Sequence, residues 1–190
     1  KEISTSSEPI DVTKKVIGQS DSNPYMSSAF PDYLLFSRGG KIMYIDFPPK
    51  TESVEKELSN YPIDIIDFKV KRNTLVFTAS VYFNCSDLNC TKQLDDIENS
   101  RDYKIYSQIE TFHWDEWLTE GKGTHIFSQK INYHPGEGLA LEGEPKDLTL
   151  HMPINAPPMD CASESYDISN NGKTLKWELS IDEDNEVNFT

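Results

Sequence analysis

Alternating apolar and polar residues in short runs, separated by turn-forming residues, dominate the chain and predict β-strands. Residues 33–47 form one predicted hairpin. Two apolar and aromatic runs there flank Gly39 and Gly40, and glycine adopts the positive φ angles of a tight turn. Strands at 63–70 and 74–82 form a second predicted hairpin around a short polar turn.

The later part of the chain continues this pattern. Residues 124–131 alternate well enough to predict a further strand. A polar turn at 170–173 lies between apolar runs at 167–168 and 174–179, which predicts a third hairpin.

One amphipathic helix is predicted over residues 87–100, where Leu88, Leu94 and Ile97 lie on one face and most other positions are polar or charged. This helix interrupts the run of strands. It is either a surface insertion or a contact with another domain or a second copy.

An internal repeat relates residues 67–77 to residues 167–177, which align without gaps. An Asp, an apolar residue, a polar turn, Thr-Leu and, after one spacer, an aromatic residue occupy the same positions in both segments. Together with the lack of other helices, the repeat predicts an all-β fold built from four-stranded units. It favours β-propeller blades over a sandwich.

Composition narrows the range of partners. The chain of 190 residues carries a formal net charge of −14, from 32 acidic and 18 basic residues. A surplus of this sign argues against nucleic acid, whose binding requires Lys and Arg at the phosphates, and against an anionic membrane surface. No apolar run approaches the roughly 20 residues of a membrane-spanning helix. We interpret most of the acids as a solvated coat.

Two cysteines lie inside Asn-x-Ser/Thr glycosylation acceptors that begin at Asn84 and Asn89, and a third acceptor begins at Asn188. Cys85 and Cys90 are close enough in sequence to close a small loop, so we predict a disulfide between them. These features together predict a secreted or lumenal protein, either extracellular or in a lysosome-like compartment.

The third cysteine, Cys161, is left over and is predicted to be free or paired outside this chain. A zinc site would require a compact second pair of ligands, which the scattered histidines do not supply. We therefore expect no metal and no cofactor.

A dense segment at 112–118 holds two tryptophans, a histidine and two carboxylates. This segment and several others, in this order, resemble the N-terminal β-propeller of the dipeptidyl-peptidase V group of the prolyl-oligopeptidase family of serine peptidases. The matching segments are 23–24 with 33–46, 75–82 with Cys85, Ser86, Asp87 and Cys90, the helix around Leu94, 113–115 with Trp117, 125–127, and 166–169 with Gly172 and Lys173. Phe112 stands where that family has Arg, and Asn171 where it has Asp.

The resemblance implies a non-catalytic role for this chain. In that family the nucleophilic serine lies on a Gly-x-Ser-x-Gly elbow of an α/β-hydrolase domain, and these 190 residues contain no such motif. The chain is then the propeller portion of a secreted serine exopeptidase that releases dipeptides from peptide N-termini. Its task is to gate access to a catalytic domain outside this chain.

The implied organisation is a flexible lead-in at 1–22 followed by about two and a half blades. The blades lie at about 23–60, at 61–155 and, incompletely, at 156–190. Two other functions stay open, a stand-alone secreted binding glycoprotein derived from a propeller and a pseudo-enzyme subunit.

His113, Trp114, Asp115 and Trp117 are the candidate substrate-facing residues. In one interpretation the aromatic rings and the carboxylate face a peptide substrate, with Asp115 pairing with an α-ammonium group. In the other the indoles fill space between blades, and Asp115 accepts a hydrogen bond from His113 or from a turn amide.

The last hairpin is expected to supply only two strands of its blade. Leu175 and Trp177 would then need a partner such as the remainder of the same precursor or another copy. The alternative is that this hairpin folds back on the second blade.

Overall fold

A computed structural model describes most of the chain, namely residues 20–50, 53–107, 119–150, 152–157 and 165–178, with the backbone alone at 112–113 and 116–117. These residues form antiparallel β-sheets and one helix. The predicted all-β class is therefore confirmed.

The first sheet is a four-stranded antiparallel meander. Its strands are β1 (Asp21–Tyr25), β2 (Tyr33–Arg38), β3 (Lys41–Asp46) and β4 (Lys56–Glu57), paired in chain order. The predicted hairpin is β2–β3, and both glycines of its turn have positive φ angles. Most of the predicted lead-in at 1–22 lies outside the described residues, and strand β1 begins at Asp21, close to the predicted start near residue 23.

The second sheet begins with the second predicted hairpin, formed by β5 (Asp67–Lys71) and β6 (Thr74–Tyr82). Its first strand is shorter than predicted, because residues 63–66 are not in a strand. The chain then leaves the sheet in an excursion that contains α1 (Leu88–Asn99) and the small hairpin β7 (Phe112–His113) and β8 (Glu116–Trp117).

The chain returns to complete the second sheet with β9 (Lys122–His134) and β10 (Gly138–Asp147). The strand order β10-β9-β6-β5 is again that of a meander. Strand β9 extends the predicted strand at 124–131 at both ends. Two sheets of the same topology therefore follow each other along the chain.

Helix α1 has the predicted bounds. The Asp87 side chain accepts a hydrogen bond from the backbone N–H of Cys90 at 2.8 Å, which caps the helix start, and Ser100 is the C-terminal cap. Its predicted apolar face is only partly correct. Leu88 is buried, but Ile97 is 49% exposed, so only the first half of the helix packs on the sheet.

The third predicted hairpin is also present, as β11 (Tyr166–Ile168) and β12 (Leu175–Trp177). Its apolar side chains pack on the second sheet, where Tyr166 and Ile168 join Val76 and Ile126 in a buried cluster. The opposite face of the second sheet is covered by the first sheet through a larger buried cluster that includes Leu35, Ile42, Phe68, Phe77 and Phe127. The second sheet is thus buried on both faces.

The first strands of the three units contact one another in succession. From β1, the Tyr25 hydroxyl donates to the Val70 carbonyl of β5 at 2.7 Å, and the Tyr25 ring meets Phe68 edge-on at 6.3 Å. Between β5 and β11, the Lys69 ammonium lies 4.4 Å from the centre of the Tyr166 ring and donates to the Tyr166 carbonyl. Strands β1, β5 and β11 therefore lie side by side.

The two repeated segments of the sequence face each other in this stack. A side chain at Gly172, whose φ is +69°, would place its Cβ 2.9 Å from the Lys71 carbonyl oxygen of the neighbouring turn. Glycine is needed at this position both for its backbone angle and for this close approach.

One buried arginine holds the ends of the first sheet together. The Arg38 guanidinium forms salt bridges with Asp21 of β1 and with Glu55, just before β4, at 2.5 and 2.7 Å. The hydrogen bonding that Arg38 donates to the Asp21 carboxylate is the main cause that raises the pKa of Arg38. Because both pairs are bidentate and the guanidinium is buried, they define the alignment of β1 and β4 on the central hairpin.

Leu175 and Trp177, predicted to need a partner, pack partly against the second cluster and remain half-buried. The indole N–H of Trp177 is buried and has no hydrogen-bond partner among the described residues. A partner on their outer side stays a prediction.

Replacing Asp67 by Asn tests the contact between the second sheet and the third hairpin. Asp67 is buried and accepts a hydrogen bond from the Tyr166 hydroxyl at 2.8 Å. Burial raises the pKa of Asp67 above its usual 3.8. The folded state therefore binds the proton more tightly than the unfolded state. Asp67 therefore stabilises the folded state fully below about pH 3.8. This contribution to the free energy of unfolding is lost as the pH rises through the pKa that Asp67 has in the folded state.

Urea unfolding from pH 4 to pH 7.5 measures this effect. Asn keeps the shape and an acceptor for Tyr166, so Asp67→Asn is expected to be more stable than the native chain by on the order of 1 kcal/mol at pH 7.5, with the difference shrinking toward pH 4. Asp167→Asn, at the equivalent but exposed position of the repeat, is the matched control. A pH-independent difference for Asp67→Asn would contradict this description.

Candidate binding cavity beside the disulfide loop

The predicted disulfide loop is present. The sulfurs of Cys85 and Cys90 lie at bonding distance, and their Cα atoms are 5.5 Å apart. The loop begins just after β6, where the Cys85 N–H donates to the Tyr82 carbonyl at 2.9 Å, and it ends at Cys90 in the first turn of α1. The disulfide therefore joins the end of a core strand to the first turn of the helix. Cys161 lies outside the described residues.

The two glycosylation acceptors in this loop differ in their surroundings. Both Asn84 and Asn89 are exposed. At the first acceptor Ser86 is exposed as well, whereas at the second Thr91 is fully buried and its hydroxyl accepts the Tyr82 N–H at 3.3 Å. Asn188 lies outside the described residues.

A cavity of about 720 Å³ lies between this loop, the end of the first sheet and the face of the second sheet that packs on the first. Its floor consists of buried apolar side chains, namely Leu58, Leu88, Phe127 and Leu139. Its rim consists of exposed polar residues, namely Glu57, Asn60, Ser86, Asp87, Asn89 and Glu144. The cavity has an apolar base and a polar mouth, the composition that is typical of small-molecule sites.

A β-bulge in β10 shapes one wall of the cavity. Glu142 pairs with Lys130 and Lys146 with Ser128, so residues 143–145 lie opposite Gln129 alone. The bulge turns Glu144 toward the mouth of the cavity, as bulges beside functional sites often re-aim a side chain.

Gln129 holds this bulge in place through its side-chain amide. Its Nε2 donates to the Gly143 carbonyl, and its Oε1 accepts the Tyr61 hydroxyl at 2.5 Å. Burial raises the pKa of Tyr61, which keeps the phenol protonated as the donor. The Tyr61 ring stacks on Phe77 and Phe77 on Phe127, with ring centres 4.5 and 5.2 Å apart. In this wall the Gln129 amide and the Tyr61 phenol are therefore both hydrogen-bonded, and the three rings are packed on one another.

The charge of the lining is one-sided. Among the described residues that line the cavity there are four carboxylates and no Lys, Arg or His. Glu57 pairs with Lys41 at 2.9 Å, and Asp147 with His125 at 2.7 Å. Within the described part of the chain, Asp87 and Glu144 have no cationic partner.

The buried pair of His125 and Asp147 lies behind the cavity. Asp147 Oδ2 bonds Nδ1 of the imidazole, and the Met152 carbonyl bonds Nε2 at 3.1 Å. Asp147 Oδ1 accepts the N–H and the hydroxyl of Thr149 at 2.8 and 3.2 Å. Both imidazole nitrogens thus contact groups of this chain, so neither is open to a substrate or a nucleophile in this arrangement. The pair joins β9 to the end of β10, and the bond to Met152 joins β9 to the segment after β10.

Two of the four predicted substrate-facing residues lie in a described part of the chain, away from the four-stranded sheets. His113 and Trp117 belong to the β7–β8 hairpin, where His113 pairs with Glu116 and Phe112 with Trp117. Trp114 and Asp115 fall outside the described residues. The hairpin belongs to the excursion between β6 and β9, not to a four-stranded sheet. Both interpretations of these side chains, contact with a substrate and packing between sheets, stay predictions.

Sequence reasoning missed the cavity, and with it Tyr61, Gln129 and Glu144. One signal was available, since Gly143 and Pro145 inside an otherwise strand-like run indicate a bulge. The other walls come from segments far apart in sequence, and only the packing of the two sheets brings them together.

Comparisons with known proteins give no relative for this chain. No family model, curated protein or solved structure matches it.

Among the described residues, no group of three or more His, Cys, Asp or Glu is placed to hold a metal ion. No helix in that part of the chain is long and apolar enough to cross a membrane.

Glycan occupancy in a secreting eukaryotic host tests the difference between the two acceptors. Once the disulfide closes and α1 forms, the Thr91 hydroxyl is buried, so modification of Asn89 has to precede folding of this loop. Preventing the disulfide with Cys85→Ser and Cys90→Ser keeps both acceptor motifs and is expected to raise occupancy at Asn89 more than at Asn84. Glycopeptide mass spectrometry measures both sites. Unchanged occupancy at Asn89 would show that closure of the loop does not limit its modification.

Proposed function

We propose that this chain is the non-catalytic β-propeller portion of a secreted serine exopeptidase of the dipeptidyl-peptidase V type. It provides two four-stranded blades and the first half of a third. Its role in that enzyme is to gate the access of peptide substrates to a catalytic domain outside these 190 residues. The observation that carries the proposal is the succession of meanders whose first strands, β1, β5 and β11, lie side by side.

This succession favours a propeller over a sandwich. In a sandwich each of two sheets buries one face against the other. Here the second sheet buries one face on the first sheet and its other face on the third hairpin. Repetition of this step about an axis lined by the first strands is the arrangement of propeller blades.

A non-catalytic role agrees with the chemistry of the chain. The sequence has no Gly-x-Ser-x-Gly motif, and the His125–Asp147 pair has both imidazole nitrogens occupied. The resemblance in sequence to the peptidase family is what suggests the catalytic partner domain and the release of dipeptides.

Secretion is supported by the Cys85–Cys90 pair at disulfide distance, because such bonds persist in oxidising compartments. The exposure of Asn84 and Asn89 leaves room for a glycan at either acceptor. The half-buried Leu175 and Trp177 are where the remainder of a longer precursor, or another copy, would complete the third sheet.

A second candidate is a stand-alone secreted binding glycoprotein or a pseudo-enzyme subunit. The cavity favours this alternative, because its floor and its rim are formed entirely by this chain. Such a protein would bind its ligand without a hydrolase domain.

Labelling with a fluorophosphonate, which reacts with active serine hydrolases, distinguishes the peptidase proposal from this second candidate. Antibodies against residues 20–178 would recover the natural protein from its source. The peptidase proposal predicts a longer polypeptide that is labelled and that releases dipeptides from unblocked peptides. The isolated 190-residue chain serves as the control and is expected to do neither. Recovery of an unlabelled natural protein would contradict the peptidase proposal and favour the binding glycoprotein.

A further inference from the structure

We propose that the cavity beside the disulfide loop binds an organic ammonium ion carried on an apolar body, such as an arylalkylamine or a lysine side chain. This site goes beyond the proposed gating function and does not depend on it. It rests on the size of the cavity, the composition of its floor and the charge of its rim.

The size and floor of the cavity fit a small organic group. Its volume of about 720 Å³ lies within the range of roughly 300 to 1,000 Å³ that is usual for small-molecule sites. The buried floor residues Leu58, Phe127 and Leu139 offer an apolar surface, and the ring of Tyr61 stands beside it. An apolar body placed there would remove this surface from water.

The charge of the rim selects a cation. Asp87 and Glu144 both line the mouth and lack a cationic partner among the described residues, while an anion would meet four carboxylates and no basic side chain in the described lining. A partly desolvated ammonium group would form charge-assisted hydrogen bonds with such carboxylates.

The same lining disfavours a bare metal ion as the occupant. Hard cations such as Ca²⁺ require six to eight converging oxygen ligands. In the described part of the chain no group of acidic, His or Cys side chains is placed to supply them. An apolar floor offers nothing to a metal, whereas it contacts the body of an organic cation.

The bonded wall supports selective binding. Because Gln129 and Tyr61 hold the bulge at Gly143, the backbone of Glu144 belongs to a strand and not to a free loop. A held backbone reduces the entropy that binding would otherwise cost.

Titration of the full 190-residue chain with matched probes tests the proposal. The probes are 2-phenylethylamine, the neutral 2-phenylethanol and the anionic 3-phenylpropanoate, followed by NMR chemical shifts of ¹⁵N-labelled protein. We expect saturable shifts at Gln129, Leu141 and Glu144 with the amine, at least about tenfold weaker binding of the alcohol and none of the acid. A carboxylate–ammonium contact of about 1 kcal/mol corresponds to a loss of about fivefold in Glu144→Gln.

The matched control is Glu142→Gln, an exposed position on the same strand that does not line the cavity, and it is expected to leave the affinity unchanged. Thermal unfolding of both variants checks that they fold. A peptide with blocked ends and a single lysine, tested beside the free amine, shows whether the ammonium comes from a small molecule or from a side chain. Equal binding of amine and alcohol, shifts outside the cavity, or full affinity in Glu144→Gln would overturn the proposal.

Discussion

Burial of the second sheet on both faces is the constraint on which the rest of this structure depends. Strand β6 is nearly continuously buried, and its side chains alternate between the two faces, with Phe77 entering the larger cluster and Val76 the smaller one. A strand of this kind is stable only if a neighbour covers each side. Removing a ring such as Phe77, which is 0% exposed, would cost about 3–5 kcal/mol.

The polar contacts follow from this stacking. Where the first strands meet, Tyr25 and Lys69 donate to backbone carbonyls of the neighbouring strand, and the Tyr166 hydroxyl donates to the Asp67 carboxylate. These three polar side chains therefore have partners between the sheets. At the outer strands the two sheets pack less closely. There the linker after β4, the disulfide loop and the bulge of β10 enclose the cavity. A single packing arrangement thus produces both the close contacts between first strands and the open cavity.

Local features of the chain were predictable because local chemistry determines them. The Gly39–Gly40 turn and the apolar spacing over 87–100 each lie within a short stretch of sequence, and a hairpin and a helix are found there. The repeat even identified the two hairpins that stack. The face of α1 was wrong at Ile97, because nothing in the helix shows where the sheet beneath it ends. The cavity could not be predicted from the sequence for the same reason, because Tyr61 meets Gln129 only through packing between sheets.

Nuclear Overhauser effects in the labelled chain test the central claim, which is that consecutive sheets stack with their first strands side by side. The stacking predicts cross-peaks from the Tyr25 ring to the Phe68 ring, and from the Lys69 side chain to the Tyr166 ring, whose centre lies 4.4 Å from the ammonium nitrogen. Detection of both sets supports three units around one axis. If Tyr166 and the rest of the third hairpin show contacts only among themselves, the stacked arrangement is wrong.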